Sequence, residues 1–182
     1  MRSTARLTYG QVQQAMDGEP DDRAAPLIET VIKPLYGAYH ALRSARAARG
    51  ALDLDLPERR ITLRKNGTIK KIELRETLDS HRLIEEFMIA ANVSAAETLE
   101  QREQPCMYRV HETPDPDRVE NLRNVLDSIG IKLSRGTTLR AGDFNNIVEK
   151  ARATPHSALV SEAVLRCQSQ AAYSPDNVGH FG

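Results

Sequence analysis

The sequence predicts an α+β fold dominated by helices, with one short antiparallel hairpin. Three observations carry that prediction. Apolar residues recur at three- and four-residue spacing over several long stretches, the pattern of amphipathic helices. Residues 60–74 instead hold two short β-like runs joined at Asn66-Gly67. An apolar content of 40% over 182 residues suffices for a packed core, and aromatics at 4% leave that core to Leu, Ile, Val and Ala.

Taken in order, residues 7–16 read as a short helix opened by a capping box, with Thr8 placed to cap and Gln11 three residues on. The polar run Asp17-Gly-Glu-Pro-Asp-Asp22 breaks it. From about residue 26 to 48, Ile28, Val31, Ile32, Leu35, Tyr39 and Leu42 recur at helical spacing, and Gly50 supplies a stop. Arg43, Arg46 and Arg49 lie along one side of that helix. Asn66 and Gly67 suit a two-residue hairpin turn because both accept positive φ. Ile72 and Leu74 are out of phase with Ile69, so a bulge or strand end is expected nearby.

The longest helix is predicted over about 80–102, with Leu83, Ile84, Phe87, Met88, Ala91 and Ala95 on its buried stripe. Residues 106–111 read as a buried strand. Pro114-Asp-Pro-Asp117 opens a further amphipathic helix ended by Gly130, and two more helices follow at about 142–152 and 155–170. With no repeat and no domain-scale linker, the chain reads as one α+β unit.

The balance of 25 basic and 25 acidic residues gives no global attraction to nucleic acid, so any RNA-binding surface must be local. Cys106 and Cys167 are far apart in sequence, which argues against a zinc or disulfide framework and for a reducing compartment. No apolar stretch follows Met1, and no run approaches a membrane span. A soluble, cytoplasmic chain without membrane partners is the expectation.

Several segments together point further. They are Ala5-Arg-Leu-Thr-Tyr9, Arg49-Gly-Ala-Leu-Asp-Leu-Asp-Leu-Pro-Glu58 with the hairpin after it, and Leu83-Ile-Glu-Glu-Phe-Met-Ile-Ala-Ala-Asn92. Tyr108-Arg-Val-His111 with its Pro-Asp-Pro sequel follows, then Gln170-Ala-Ala-Tyr-Ser174 leading into Gly179-His-Phe-Gly182. In this order and spacing, over essentially the whole chain, they resemble the ribonuclease II/R family, whose catalytic part is the RNB domain. Ala-Arg-Gly-Ala-Leu-Asp and Tyr-Arg-Val-His stand closer to the ribonuclease R branch.

The resemblance implies a 3′→5′ exoribonuclease that threads single-stranded RNA into a narrow channel. It would hydrolyse that RNA processively to nucleoside 5′-monophosphates, with a magnesium-activated water as nucleophile. The family's metal aspartates, of the form Asp-x5-Asp-x-Asp-Asp, precede the Ala-Arg-Leu-Thr-Tyr segment. Its phosphate-binding arginine follows the His-Phe-Gly segment in a Thr-Ser-Pro-Ile-Arg-Arg-Tyr run. Neither motif occurs here. The chain is therefore expected to be the helix-rich central portion of an RNB catalytic domain, incomplete at both ends, with no cold-shock/OB or S1 domain. On this expectation it carries no catalytic residue and no metal ligand, and is inactive alone. Mg2+ belongs to the full-length enzyme. The partners implied are single-stranded RNA and the missing portions of the same catalytic domain, in a monomeric parent. The alternative is a non-catalytic RNB-like module that binds RNA or protein.

The RNA-binding residues that the resemblance implies are Tyr9, Glu85 and Leu54. Tyr9 matches a tyrosine near the terminal nucleotides, where a phenol stacks on a sugar or base; taken alone, it reads as a packing residue. Glu85 matches the first glutamate of a Glu-Glu pair and would accept a hydrogen bond from the ribose 2′-hydroxyl. Its neighbour Glu86 reads as plain surface. Leu54 falls where the family often has a phenylalanine that clamps the base stack. His81 and Asn92 share a helix face with Glu85, as a polar wall of the channel, and His81 alone reads as a helix-start residue. Asp53 and Asp55 point to one side of an extended segment like metal ligands, yet they are not the family's motif and read as structural or channel-lining. The basic residues Arg59, Arg60, Arg64, Lys65, Lys70, Lys71 and Arg75 suit either phosphates or a solvated hairpin edge. His180 and Phe181 are expected to fray.

Overall fold

The computed structural model describes residues 3–54, 58–134 and 139–182. The described residues form α-helices α1 (Tyr9–Met16), α2 (Lys33–Arg49), α3 (Asp79–Gln101), α4 (Pro116–Ser128), α5 (Ala141–Arg152) and α6 (Ser157–Cys167). They also form strands β1 (Glu58–Leu63), β2 (Ile69–Arg75), β3 (Tyr108–Val110) and β4 (Ala172–Ser174). Helices dominate, as the periodicity requires. The chain divides into two compact units, Met1–Arg46 with Pro57–Thr98, and Ala47–Leu56 with Leu99–Gly182. No linker in the sequence marks this division. Two of its boundaries fall inside helices, at residues 46/47 in α2 and 98/99 in α3.

In the first unit, Thr8 caps α1 in a full capping box with Gln11, its N–H reaching the Gln11 side chain at 2.8 Å. The stretch before α2 is not a continuous α-helix. A 3-10 turn (Ala25–Leu27) passes into a π-helical turn (Ile28–Ile32) before α2 begins. Pro34 accounts for this, because its missing N–H cannot close the ordinary α-helical ladder. The wider turn also shifts the buried stripe. Ile32, Tyr36 and Tyr39 face inward with Ala15, Ala24 and Leu83, while Val31 and Leu35 are exposed.

β1 and β2 pair antiparallel, and the register slips between Thr62 and Leu63, leaving Lys70 unpaired. The expected bulge is therefore present beside Ile69. The turn is longer than the two residues expected. Gly67 N–H returns to the Arg64 carbonyl at 2.9 Å and Arg64 N–H to the Thr68 carbonyl at 2.8 Å. Only Gly67 takes positive φ, at 81°. A three-residue loop closed by a left-handed glycine needs no positive φ at Asn66. Ile61, Leu63, Ile69, Ile72 and Leu74 are all exposed on the hairpin.

The second unit is built on α4, α5 and α6. Leu122, Leu126, Phe144, Ile147, Val160 and Val164 form its core, and Cys167 is buried as a free thiol. Asp115 caps α4 by accepting the Asp117 N–H at 2.8 Å, and Gly130 closes the helix with φ 78°. The predicted strand at 106–111 is shorter than expected. The strand proper is Tyr108–Val110, paired with β4, and within it only Val110 is buried. A two-stranded ribbon has too few neighbours to cover both sides.

His180 and Phe181 are held in place, which corrects the expectation of fraying. His111 N–H donates to the Gly179 carbonyl at 3.0 Å and Phe181 N–H to the His111 carbonyl at 2.8 Å. The Phe181 ring meets Phe144 edge-on at 5.9 Å. The His180 ring lies 5.1 Å from that of His111. Partial burial first, and the facing His111 second, push the His180 imidazole below its ordinary 6.5. A histidine with a depressed folded pKa takes up its proton more readily when unfolded. The fold therefore keeps its full stability above about 6.5 and loses part of it as pH falls through that value toward the folded pKa. Urea unfolding followed from pH 8 to pH 5 is expected to show this loss, and His180→Asn should flatten it.

Candidate functional site

The capping box fixes Tyr9 as the first residue of α1. Its backbone is held from the other side by the start of α3. Ser80 Oγ donates to the Tyr9 carbonyl at 2.9 Å, and Ser80 N–H donates to the Gln13 side-chain oxygen at 3.2 Å. Ser80 is only 2% exposed, so both bonds are shielded from water. The same Gln13 oxygen accepts from the Tyr36 hydroxyl at 3.4 Å. Burial, then the nearby Asp79 carboxylate, push the Tyr36 phenol up to about 12, so it remains a donor. Tyr39 donates to Asp79 at 3.2 Å and accepts from Arg43 at 3.3 Å.

With its backbone fixed, the Tyr9 ring stacks on His81. The centroids are 4.3 Å apart and the planes 22° from parallel. The Tyr9 side of this pair is 45% exposed. Beneath it a cleft of about 840 Å³, walled by Val31, Leu35 and Ile84, carries Arg6 and Arg23 on its lining. His81 and Glu85 are one turn apart on one face of α3, and Tyr9 stacks on the first of them. Asn92, two turns beyond Glu85, is exposed on α3.

Glu86 is not plain surface. It is buried, with 6% of its area exposed, and Arg46 donates to it at 3.0 Å; the same guanidinium nitrogen lies 3.4 Å from the exposed Glu85. The predicted stripe of α3 is rotated accordingly. Ser80, Leu83 and Glu86 face inward, whereas Ile84, Met88, Ala91 and Ala95 are exposed. Hydrophobicity alone hides this rotation, because an inward glutamate is tolerable only where a cation meets it. The basic side of α2 was the available signal, since Arg46 supplies that cation.

Leu54 falls in the second unit, half-buried against the α4–α6 core. Asp53 is exposed and its N–H donates to Asn145 at 2.9 Å; Asp55 lies outside the described residues. On the hairpin, Arg64 donates to Thr68 and to the Ile69 carbonyl, and Lys71 pairs with Glu73, so part of the basic edge serves the hairpin itself. Among the described residues no three His, Cys, Asp or Glu side chains gather as a metal site would require. The described residues offer no set of carboxylates that fits magnesium. No helix among the described residues is long and apolar enough to cross a membrane.

The RNB domain model matches residues 1–182. The chain belongs to the RNB domain family. Ribonuclease R of Aquifex aeolicus (strain VF5) is 38% identical over 183 residues, covering 100% of this chain and 26% of that protein. Ribonuclease R of Escherichia coli (strain K12) is 34% identical over 184 residues, covering 100% and 22%. The chain thus spans about a quarter of the length of the curated relatives it matches. Mycoplasma genitalium RNase R in complex with double-stranded RNA superposes with a TM-score of 0.87 at 21% identity, over 97% of this chain and 32% of that one. The same enzyme with ribose methylated single-stranded RNA gives 0.84, over 97% and 28%. The α+β arrangement is therefore that of a portion of an RNB fold.

The Arg46–Glu86 contact is what allows a carboxylate inside this RNB segment. Arg46→Ala would leave Glu86 buried without its cation and is expected to cost about 3 kcal/mol, the low end for a broken buried pair because Arg46 reaches solvent. Glu86→Gln should cost less. Urea denaturation of both variants checks the order.

Proposed function

We propose that this chain is the RNA-recognition part of the catalytic domain of a 3′→5′ exoribonuclease of the ribonuclease R type. The observation that carries the reading is the exposed Tyr9 ring stacked on His81, with the exposed Glu85 one turn beyond that histidine on α3, in a chain of the RNB family. A phenol with one open face stacks on a base or ribose without regard to sequence. The Glu85 carboxylate, one turn beyond His81, accepts a hydrogen bond from a 2′-hydroxyl, which DNA does not offer. These two functions orient the 3′ end of a single strand. Relatives solved with single-stranded and double-stranded RNA support RNA as the ligand class.

In this reading the whole enzyme hydrolyses single-stranded RNA processively to nucleoside 5′-monophosphates, in the cytoplasm and as a monomer. Tyr9 and Glu85 position substrate, and the family resemblance assigns Leu54 to RNA binding as well. The magnesium chemistry that the family resemblance implies is assigned to parts of the parent protein other than these residues. The remaining portions of the catalytic domain are then this chain's necessary partners.

The purified 182-residue chain, incubated with magnesium and a 3′-labelled single-stranded oligoribonucleotide, is expected to release no mononucleotide, whereas the longer protein containing it should. Release by the chain alone contradicts the assignment. Failure of the longer protein to release mononucleotides supports instead a non-catalytic RNB module.

A further inference from the structure

We propose that His81 is a positioning residue for RNA recognition, acting through Tyr9; this rests on the RNA-binding reading of Tyr9 given above. The backbone of Tyr9 is fixed by its capping box and by Ser80, but those bonds leave the ring's own torsions free. The contact that orients the ring is the stack on His81, at 4.3 Å and 22°. An exposed tyrosine without such a backing samples several rotamers and must lose that freedom on binding. With the imidazole covering one face, the ring is already held and its other face is open to a sugar or base.

His81 is itself fixed. Leu78 N–H donates to its Nδ1 at 3.2 Å. An Nδ1 that accepts this bond leaves the ring proton on Nε2. The bond ties the ring to the turn that starts α3, so its plane does not follow the motions of a free surface histidine. Ser80 and His81 thus act from one dipeptide, the serine on the Tyr9 backbone and the histidine on its ring. A metal-ligand role for His81 lacks support among the described residues, where no group of three such ligands gathers.

The test uses the full-length enzyme that contains this chain, with the variants His81→Ala, His81→Phe, Tyr9→Ala and the double His81→Ala/Tyr9→Ala. Two quantities are read: KM and kcat on a single-stranded oligoribonucleotide, and the fluorine resonance of a fluorotyrosine incorporated at position 9. An aromatic pair contributes enough to change affinity by roughly three- to tenfold. His81→Ala is therefore expected to raise KM by about that factor with kcat little changed, and to shift the fluorine resonance. His81→Phe, which keeps a ring but not the nitrogens, should restore both readouts to within about twofold. In the Tyr9→Ala background, loss of His81 should add nothing.

A His81→Ala effect on KM that persists undiminished without Tyr9 overturns the inference, as does an unmoved fluorine resonance. If the resonance moves but neither Tyr9→Ala nor His81→Ala alters KM, the stack exists without serving RNA. That result overturns the functional reading of Tyr9 together with this inference, and it is distinguishable from failure of the stack itself.

Discussion

Ser80 joins the start of α3 to α1 with two hydrogen bonds that are nearly out of water, one to the Tyr9 carbonyl and one to Gln13. Buried bonds of this kind are costly to lose, because each group left unmatched forfeits its hydration as well. The consequence reaches further than the joint. It sets the rotation of α3 about its own axis and so decides which residues look inward. Leu83 and Glu86 follow Ser80 at three-residue steps into the interior, while Glu85 is left on the outside, one turn beyond His81. Gln13 is the hinge of the arrangement, since one carboxamide oxygen accepts from both Ser80 and Tyr36.

The inward glutamate explains the adjoining basic helix. A carboxylate at 6% exposure needs a cation, and Arg46 provides one while also approaching Glu85. A single guanidinium therefore connects a residue that serves the fold with one that faces solvent at the candidate site. The strong half of the link is the 3.0 Å bond to the buried Glu86, while the longer contact to the exposed Glu85 is an ordinary surface ion pair.

Much of this was legible in the sequence, and the exceptions have physical causes. The α1 capping box, the span of α3 and the opening of α4 within Pro114–Asp117 depend on local residue types and stand where the sequence places them. The bulge beside Ile69 followed from a break in alternation. The π turn before Pro34 was missed because apolar periodicity does not register one extra residue in a turn. The burial of Glu86 was missed because hydrophobic pattern assigns charge to the outside, and only a tertiary contact with Arg46 reverses that. Stacking of Tyr9 on His81 joins residues 72 positions apart, a pairing that no local pattern encodes. The hold on His180 and Phe181 depends likewise on His111 and Phe144 from distant segments.

The central claim is that the Tyr9–Glu85 face reads ribose. It is tested most directly by equilibrium binding, in the presence of a chelator, of two single strands identical except for the 2′-hydroxyls of their 3′-terminal sugars. The full-length enzyme containing this chain is predicted to prefer the ribose strand by about tenfold or more, the usual worth of a hydrogen bond to a charged group. That preference should disappear in Glu85→Ala. Equal affinity for the two strands, or a preference that survives the substitution, would contradict the account.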